Sequence, residues 1–160
     1  MSRGARPAAS VGVMLTAHRV FTTPTPPDVV YAFLSDFANA AQWDPGTVEC
    51  SRVDGDGGVG TTYRNVSSFL GRKTELVYVA DELEPPTLVH FVGTNDQFTG
   101  HDKISMRASG AGTEVTYDAQ FEFKGASKLA APLVALYLPI LAKKTIAQLS
   151  RTLDGIRAGV

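Results

Sequence analysis

Residues 127–156, SKLAAPLVALYLPILAKKTIAQLSRTLDGI, read as one long helix with a proline inside it, and the rest of the chain takes its meaning from that helix. Ile146, Leu149, Leu153 and Ile156 recur at steps of three, four and three, while Lys144, Gln148, Arg151 and Asp154 turn elsewhere. Such spacing marks an amphipathic helix lying on an apolar surface. Continued backward, the same face runs through Ala142, Leu138, Ala135 and Ala131, so its upstream half offers mostly alanine. Small side chains there leave room beneath the helix. Everything upstream reads as strands, so the expected architecture is a curved sheet gripping one helix, with unfilled space between them.

Just before the helix, TEVTYDAQFEF places Val115, Tyr117, Ala119, Phe121 and Phe123 on one strand face and Glu114, Thr116, Asp118, Gln120 and Glu122 on the other. One face is buried and the other wet. Further strands are expected at 47–54, 60–69, 73–83, 87–94 and 98–108, joined by short Gly-rich, Pro-Pro or Asn-Asp turns that make antiparallel hairpins. At the other end, Thr16 to Thr23 reads as a first strand, stopped by Pro24, Pro26 and Pro27. Thr25 fits an N-cap before a short helix carrying Val29, Val30, Phe33 and Leu34, and Phe37 to Gln42 forms a second one, ending in the turn Trp43-Asp44-Pro45-Gly46.

With 160 residues the chain suits one domain. We expect a disordered tail over 1–15 and a single ligand-binding domain over 16–158; either Met1 or Met14 serves as the start. Fifteen basic and 16 acidic residues leave a net charge of −1, which offers no footprint for nucleic acid. Cys50 is the lone cysteine, so neither an intramolecular disulfide nor a cysteine-based metal site can form, and a reducing, cytoplasmic setting is expected. The uncharged run Leu129 to Ala142 has 14 residues, short of the roughly 20 that span a bilayer.

This order of elements, with FTTPTPPDVVYAFLSDFANAAQWDP, GDGGVGTTYRN, LEPPTLVHF and TEVTYDAQFEF carrying the likeness, resembles the helix-grip superfamily of START lipid-transfer domains and birch-pollen-allergen-like proteins. It is most similar to the bacterial polyketide cyclase/dehydrase-like branch, often labelled SRPBCC. The resemblance implies an α+β helix-grip fold: about seven antiparallel strands wrapped on the long C-terminal helix, two short helices after strand one, and a hydrophobic cavity. These motifs specify a fold and not a reaction.

Several motifs bear on chemistry. GDGGVGTT, residues 55–62, nearly spells a phosphate-binding loop, but Thr61 replaces the lysine and no helix follows to present its N-terminus to an anion. His18, His90 and His101 lack metal-ligand spacing, so no metal and no cofactor are expected. If Phe91 points inward, His90 points outward, and His101 and Asp102, as strand neighbours, face opposite ways unless a bulge intervenes. Asp96, Asp102 and Glu75 are candidate acids, although exposed carboxylates are the ordinary case.

The expected cavity lining is Trp43, Tyr63, Asn65, Phe69, Tyr78, Phe91, Phe98, Tyr117, Phe121, Ala135 and Leu138. Its first reading is binding or transport of a small hydrophobic molecule such as a lipid, polyketide or isoprenoid quinone. The second is a cyclase or dehydratase in which Tyr63, Asn65 and Tyr117 are the polar actors; the tyrosines serve equally as half-buried core residues with wet tips. A third is an interaction module. Leu133, Leu136, Tyr137 and Ile140 project away from the alanine face, toward a membrane surface or a second copy, unless Pro139 kinks the helix and buries them.

Overall fold

The computed structural model describes residues 13–158. Seven strands form one antiparallel sheet: β1 (Val13–Thr23), β2 (Thr47–Asp54), β3 (Thr62–Phe69), β4 (Arg72–Glu84), β5 (Leu88–Thr94), β6 (Phe98–Ser109) and β7 (Gly112–Phe123). Their spatial order is β1-β7-β6-β5-β4-β3-β2, so β2 through β7 form a meander and β1 pairs with its last strand. Between β1 and β2 the chain must cross from one sheet edge to the other. Helix α1 (Pro27–Leu34), a 3-10 turn (Phe37–Asn39) and helix α2 (Ala40–Trp43) make that crossing. After β7, a 3-10 stretch (Gly125–Ala130) leads into α3 (Ala131–Ala158), which lies along the concave face.

Strand β1 begins three residues before the expected start, because Val13, Met14 and Leu15 continue the ladder opposite Phe123, Glu122 and Phe121. The expected tail therefore shortens; its residues 1–12, with Met1, lie outside the described residues. Thr25 is not the N-cap of α1. Pro26 takes that position, its carbonyl accepting from the Val29 and Val30 amides at 3.1 and 3.0 Å. Thr25 is instead a buried pin: its hydroxyl donates to the Leu153 carbonyl at 2.6 Å, and its own carbonyl accepts from the Thr113 hydroxyl at 2.7 Å. One threonine thus ties α1, α3 and β7 together. Asp36 caps the following turn by accepting from the Ala38 amide at 3.1 Å.

Along α3 the buried positions are Ala131, Leu138, Ala142, Thr145, Leu149 and Leu153. Their spacing keeps one stripe on the sheet. Ile146 and Ile156 fall to its flank and are half-buried, and Ala135 lies outside the grip altogether, exposed in a shallow groove beside Leu15, Thr16 and Arg19 of β1. Pro139 sits within a continuous helix. Counted with its 3-10 lead, the helix Gly125–Ile156 is long and apolar enough by composition to cross a bilayer, which the 14-residue uncharged run alone did not indicate. Here one side of it closes the core of the domain.

Candidate ligand-binding cavity

Between α3 and the sheet lies a cavity of about 160 Å³. Its walls are mostly apolar, with Phe69, Leu76, Phe98, Phe121 and Phe123 from the sheet and Val134, Leu138, Leu141 and Ala142 from α3. The polar groups that reach it include Asp44, Ser67, Tyr78, Asp102, Tyr117 and Thr145. An apolar chamber with a few convergent polar groups is the usual form of a small-molecule site.

The most consequential of these is Asp102. Strand alternation puts it on the concave face with Gly100 and Ile104, and sends His101 to the convex face. The Tyr117 hydroxyl donates to Asp102 Oδ1 at 2.6 Å. Enclosure by the apolar walls pushes the Asp102 pKa up to about 6; the Tyr117 and Tyr78 hydroxyls pull it back, and the Asp44 charge pushes it further up. Burial, and next the Asp102 charge, raises both tyrosine pKa values well above the ordinary phenol range. Both phenols therefore stay protonated and act as donors, while Asp102 is poised to take or give a proton near neutrality.

Tyr78 belongs to β4, two strands from Asp102 on β6, and its reach has a sequence cause. The register aligns Tyr78, Gly93, Gly100 and Phe121 in one row across four strands. The ring lies flat in the trough left by the two glycines. A Cβ on Gly93 would stand 2.5 Å from the ring carbons, and one on Gly100 would stand 3.6 Å from the hydroxyl. Glycine within a strand often marks such a close approach.

A second polar cluster closes the end near α2. Asp44 accepts from the Gly46 amide at 2.9 Å and from the Thr47 hydroxyl at 2.8 Å. Asn65 donates to the Thr47 oxygen at 3.1 Å and accepts from Ser67 at 2.6 Å. Burial raises the Asp44 pKa, against the lowering effect of Asp44's own two hydrogen bonds. Asp44 and Ser67 face the cavity.

Of the residues expected to line the cavity, Phe69, Tyr78, Phe98, Tyr117, Phe121 and Leu138 do so. Trp43, Tyr63 and Phe91 do not; they pack with Phe37 in an aromatic cluster beneath α2, which displaces them from the chamber into solid core. Tyr63 is fully buried, and its hydroxyl, like the Trp43 indole N–H, has no hydrogen-bond partner among the described residues. Asn65 is spent on Thr47 and Ser67, and Ala135 faces outward. Of the three expected polar actors, Tyr117 alone touches the cavity. Asp44 was missed, and Asp102, named only as one of three candidate acids, was not assigned to the cavity; the signal for it was its place on the inward face of β6 in line with Gly100.

His90 and His101 stack on the convex face, rings 5.3 Å apart, with His90 Nε2 and His101 Nδ1 at 3.1 Å and Asp81 at 3.1 Å from His90 Nδ1. Glu75 pairs with Arg64 at 2.9 Å on the convex face. Among the described residues no cluster of three histidine, cysteine or carboxylate side chains is placed to hold a metal.

Residues 14–154 match the family described as polyketide cyclase/dehydrase and lipid transport. The chain belongs to that family. No curated protein matches its sequence. Among solved structures, the Zhui aromatase/cyclase from Streptomyces sp. R1128 aligns with a TM-score of 0.72 at 16% identity, over 91% of this chain and 94% of its own. A protein from Thermus thermophilus aligns at 0.70 with 19% identity, over 92% and 99% of the two chains. Ara h 8.0201 aligns at 0.55 with 17% identity, over 86% and 99%. At these identities the likeness is one of fold, and the fold is the helix-grip of the START and birch-pollen-allergen-like proteins. The family, by its description, takes in polyketide cyclase/dehydrase activity and lipid transport, and that is the coarse function of the chain.

Proposed function

We propose that this protein binds a small hydrophobic molecule in the chamber under α3 and orients one oxygen function of it against Asp102, Tyr78 and Tyr117. The observation carrying this reading is the Asp102 carboxyl, held by the Tyr117 phenol at 2.6 Å, inside mostly apolar walls, whereas Asp44, the other carboxyl on the cavity, is engaged by Gly46 and Thr47. Apolar surface supplies affinity without direction, and a few buried polar groups supply the orientation. A keto or hydroxyl oxygen on a lipid, polyketide or quinone skeleton would become a partner of those groups. The lone cysteine accords with a cytoplasmic site of action.

A second reading is supported by the poise of Asp102. A carboxyl with a pKa of about 6 can remove a proton next to a ketone and return it to a departing hydroxyl, while a tyrosine O–H group polarises the carbonyl. That is the proton traffic of an aldol cyclisation followed by dehydration. It makes Asp102 the base, held by the Tyr117 hydroxyl, with the Tyr78 hydroxyl turning from Asp102 to donate to the developing oxyanion.

Native mass spectrometry of freshly purified protein, with solvent extraction and identification of what leaves it, tests the binding reading. Ala142, buried on the cavity wall, provides the control. Ala142→Phe fills the chamber, so the bound species is expected to vanish while the far-UV circular dichroism stays. Retention of the same species by the folded variant would remove the chamber as its site. If a ligand is identified, Asp102→Asn separates the two readings: an enzyme loses turnover with its substrate still bound, whereas a carrier loses affinity only.

A further inference from the structure

The first half of α3 is apolar on both sides. Val134, Leu138 and Leu141 line the cavity, while Leu133, Leu136 and Ile140 point to solvent, Leu136 being 78% exposed. Leu129, on the 3-10 lead, is 87% exposed. Positions 129, 133, 136 and 140 step by four, three and four, so they extend one outward stripe. Tyr137, expected to belong to this stripe, turns aside and packs edge-on against Phe69 at 5.4 Å. That contact brings in a second element. Phe69 ends β3, and the next residue, Leu70, sits at the hairpin tip, exposed and with φ of 50°. An exposed leucine in the left-handed region satisfies no packing need of the domain itself.

The charge around this stripe is one-sided. No Asp or Glu occurs between Glu122 and Asp154, a span containing Lys124, Lys128, Lys143, Lys144 and Arg151, and the hairpin adds Arg72 and Lys73 beside Leu70. None of these cations forms an ion pair with a carboxylate among the described residues. In a protein of net charge −1 they concentrate on the elements that carry the exposed leucines. A second copy of the chain would bring two such sets face to face and repel. A bilayer with anionic headgroups takes both features, since leucines enter the interfacial layer and lysines and arginines meet the phosphates.

We infer that the outer face of α3 and the tip of the β3–β4 hairpin dock on an anionic membrane surface. The same two elements, through Phe69, Val134, Leu138 and Leu141, form walls of the cavity, so docking sets the chamber directly behind the lipid contact. The inference stands whatever molecule the cavity holds, because it rests on the outward residues.

The test is co-sedimentation of the full chain with vesicles of phosphatidylcholine alone and of phosphatidylcholine mixed with phosphatidylglycerol, at low and high salt, alongside sedimentation equilibrium without lipid. Retention is expected on the anionic vesicles, at least tenfold weaker on neutral ones, and weakened by salt. Each basic residue near an anionic surface contributes roughly fivefold. Lys143→Glu with Lys144→Glu should therefore lower retention about 25-fold or more. Leu136→Asp with Ile140→Asp should abolish it; these side chains are exposed, so circular dichroism should not change. Equal retention on both vesicle types, or none on the anionic ones, overturns the inference. A dimer that Leu136→Asp dissolves, with no vesicle retention, overturns it and assigns the face to self-association.

Discussion

Asp102→Asn exchanges a carboxyl for an amide of the same shape. The amide oxygen can still accept from Tyr117, so the geometry at 2.6 Å is kept and the titration is removed. In the fold, the Asp102 pKa rises from an ordinary 3.8 to about 6. Well below the unfolded value of 3.8 the group is neutral in both folded and unfolded chains, and at pH 4 the difference between wild type and variant should still be small. Between the two values the unfolded chain is ionised and the folded one is not, so folding takes up a proton and wild-type stability falls as pH rises. Above pH 6 the full penalty is present. A shift of roughly two units at 1.36 kcal/mol each amounts to about 3 kcal/mol, and water entering the cavity screens it toward about 1–3 kcal/mol. Urea denaturation followed by circular dichroism at pH 4 and pH 8, at constant ionic strength, measures it. The variant is expected to gain on wild type by that amount over this interval. A difference independent of pH, or one in which wild type gains as pH rises, would show an Asp102 stabilised as the anion and would refute the reasoning.

Two further outcomes follow from the same geometry. Tyr63→Phe removes a fully buried hydroxyl that lacks a partner, so thermal stability should stay level or rise, by up to roughly 1–3 kcal/mol, with ligand retention unchanged; a drop in melting temperature would reveal a partner for that hydroxyl. Gly93→Ala puts a methyl 2.5 Å from the Tyr78 ring, which should cost about 1–3 kcal/mol and displace Tyr78 from Asp102, read as an altered midpoint in the pH profile of stability; an unchanged midpoint would count against the role given to Tyr78.

The regular parts of the fold were legible because each repeats a local rule. Alternation in β7 identified Val115, Tyr117 and Ala119 as buried, and the spacing of Leu149 and Leu153 put α3 on the sheet. Punctuation by proline and glycine located the strands within a few residues. Local reasoning failed where a side chain's partner is far away in sequence. Thr25 has the form of an N-cap, yet Leu153 claims its hydroxyl across 128 residues. Trp43, Tyr63 and Phe91 alternate as inward residues, but being inward does not separate solid core from cavity wall; Phe37, arriving with the crossing, fills the space beside them. Ala135 was misplaced because periodicity gives a direction around the helix and not what lies there: it shares its direction with buried Leu153, about five turns on, but lies over the edge strand β1, where the sheet does not cover it.

The order of elements, the helix-grip family and the existence of an outward apolar face on α3 were determined by the sequence, since periodicity of side chains along one element needs no knowledge of any other. Tertiary structure alone decided the chemistry. Asp102 is an ordinary carboxylate until β6 turns it under α3, Gly93 and Gly100 let Tyr78 lie across two strands toward it, and Tyr117 reaches it from β7. A proton affinity depends on the dielectric and the donors within a few ångströms, and those come from segments that only the folded sheet brings together.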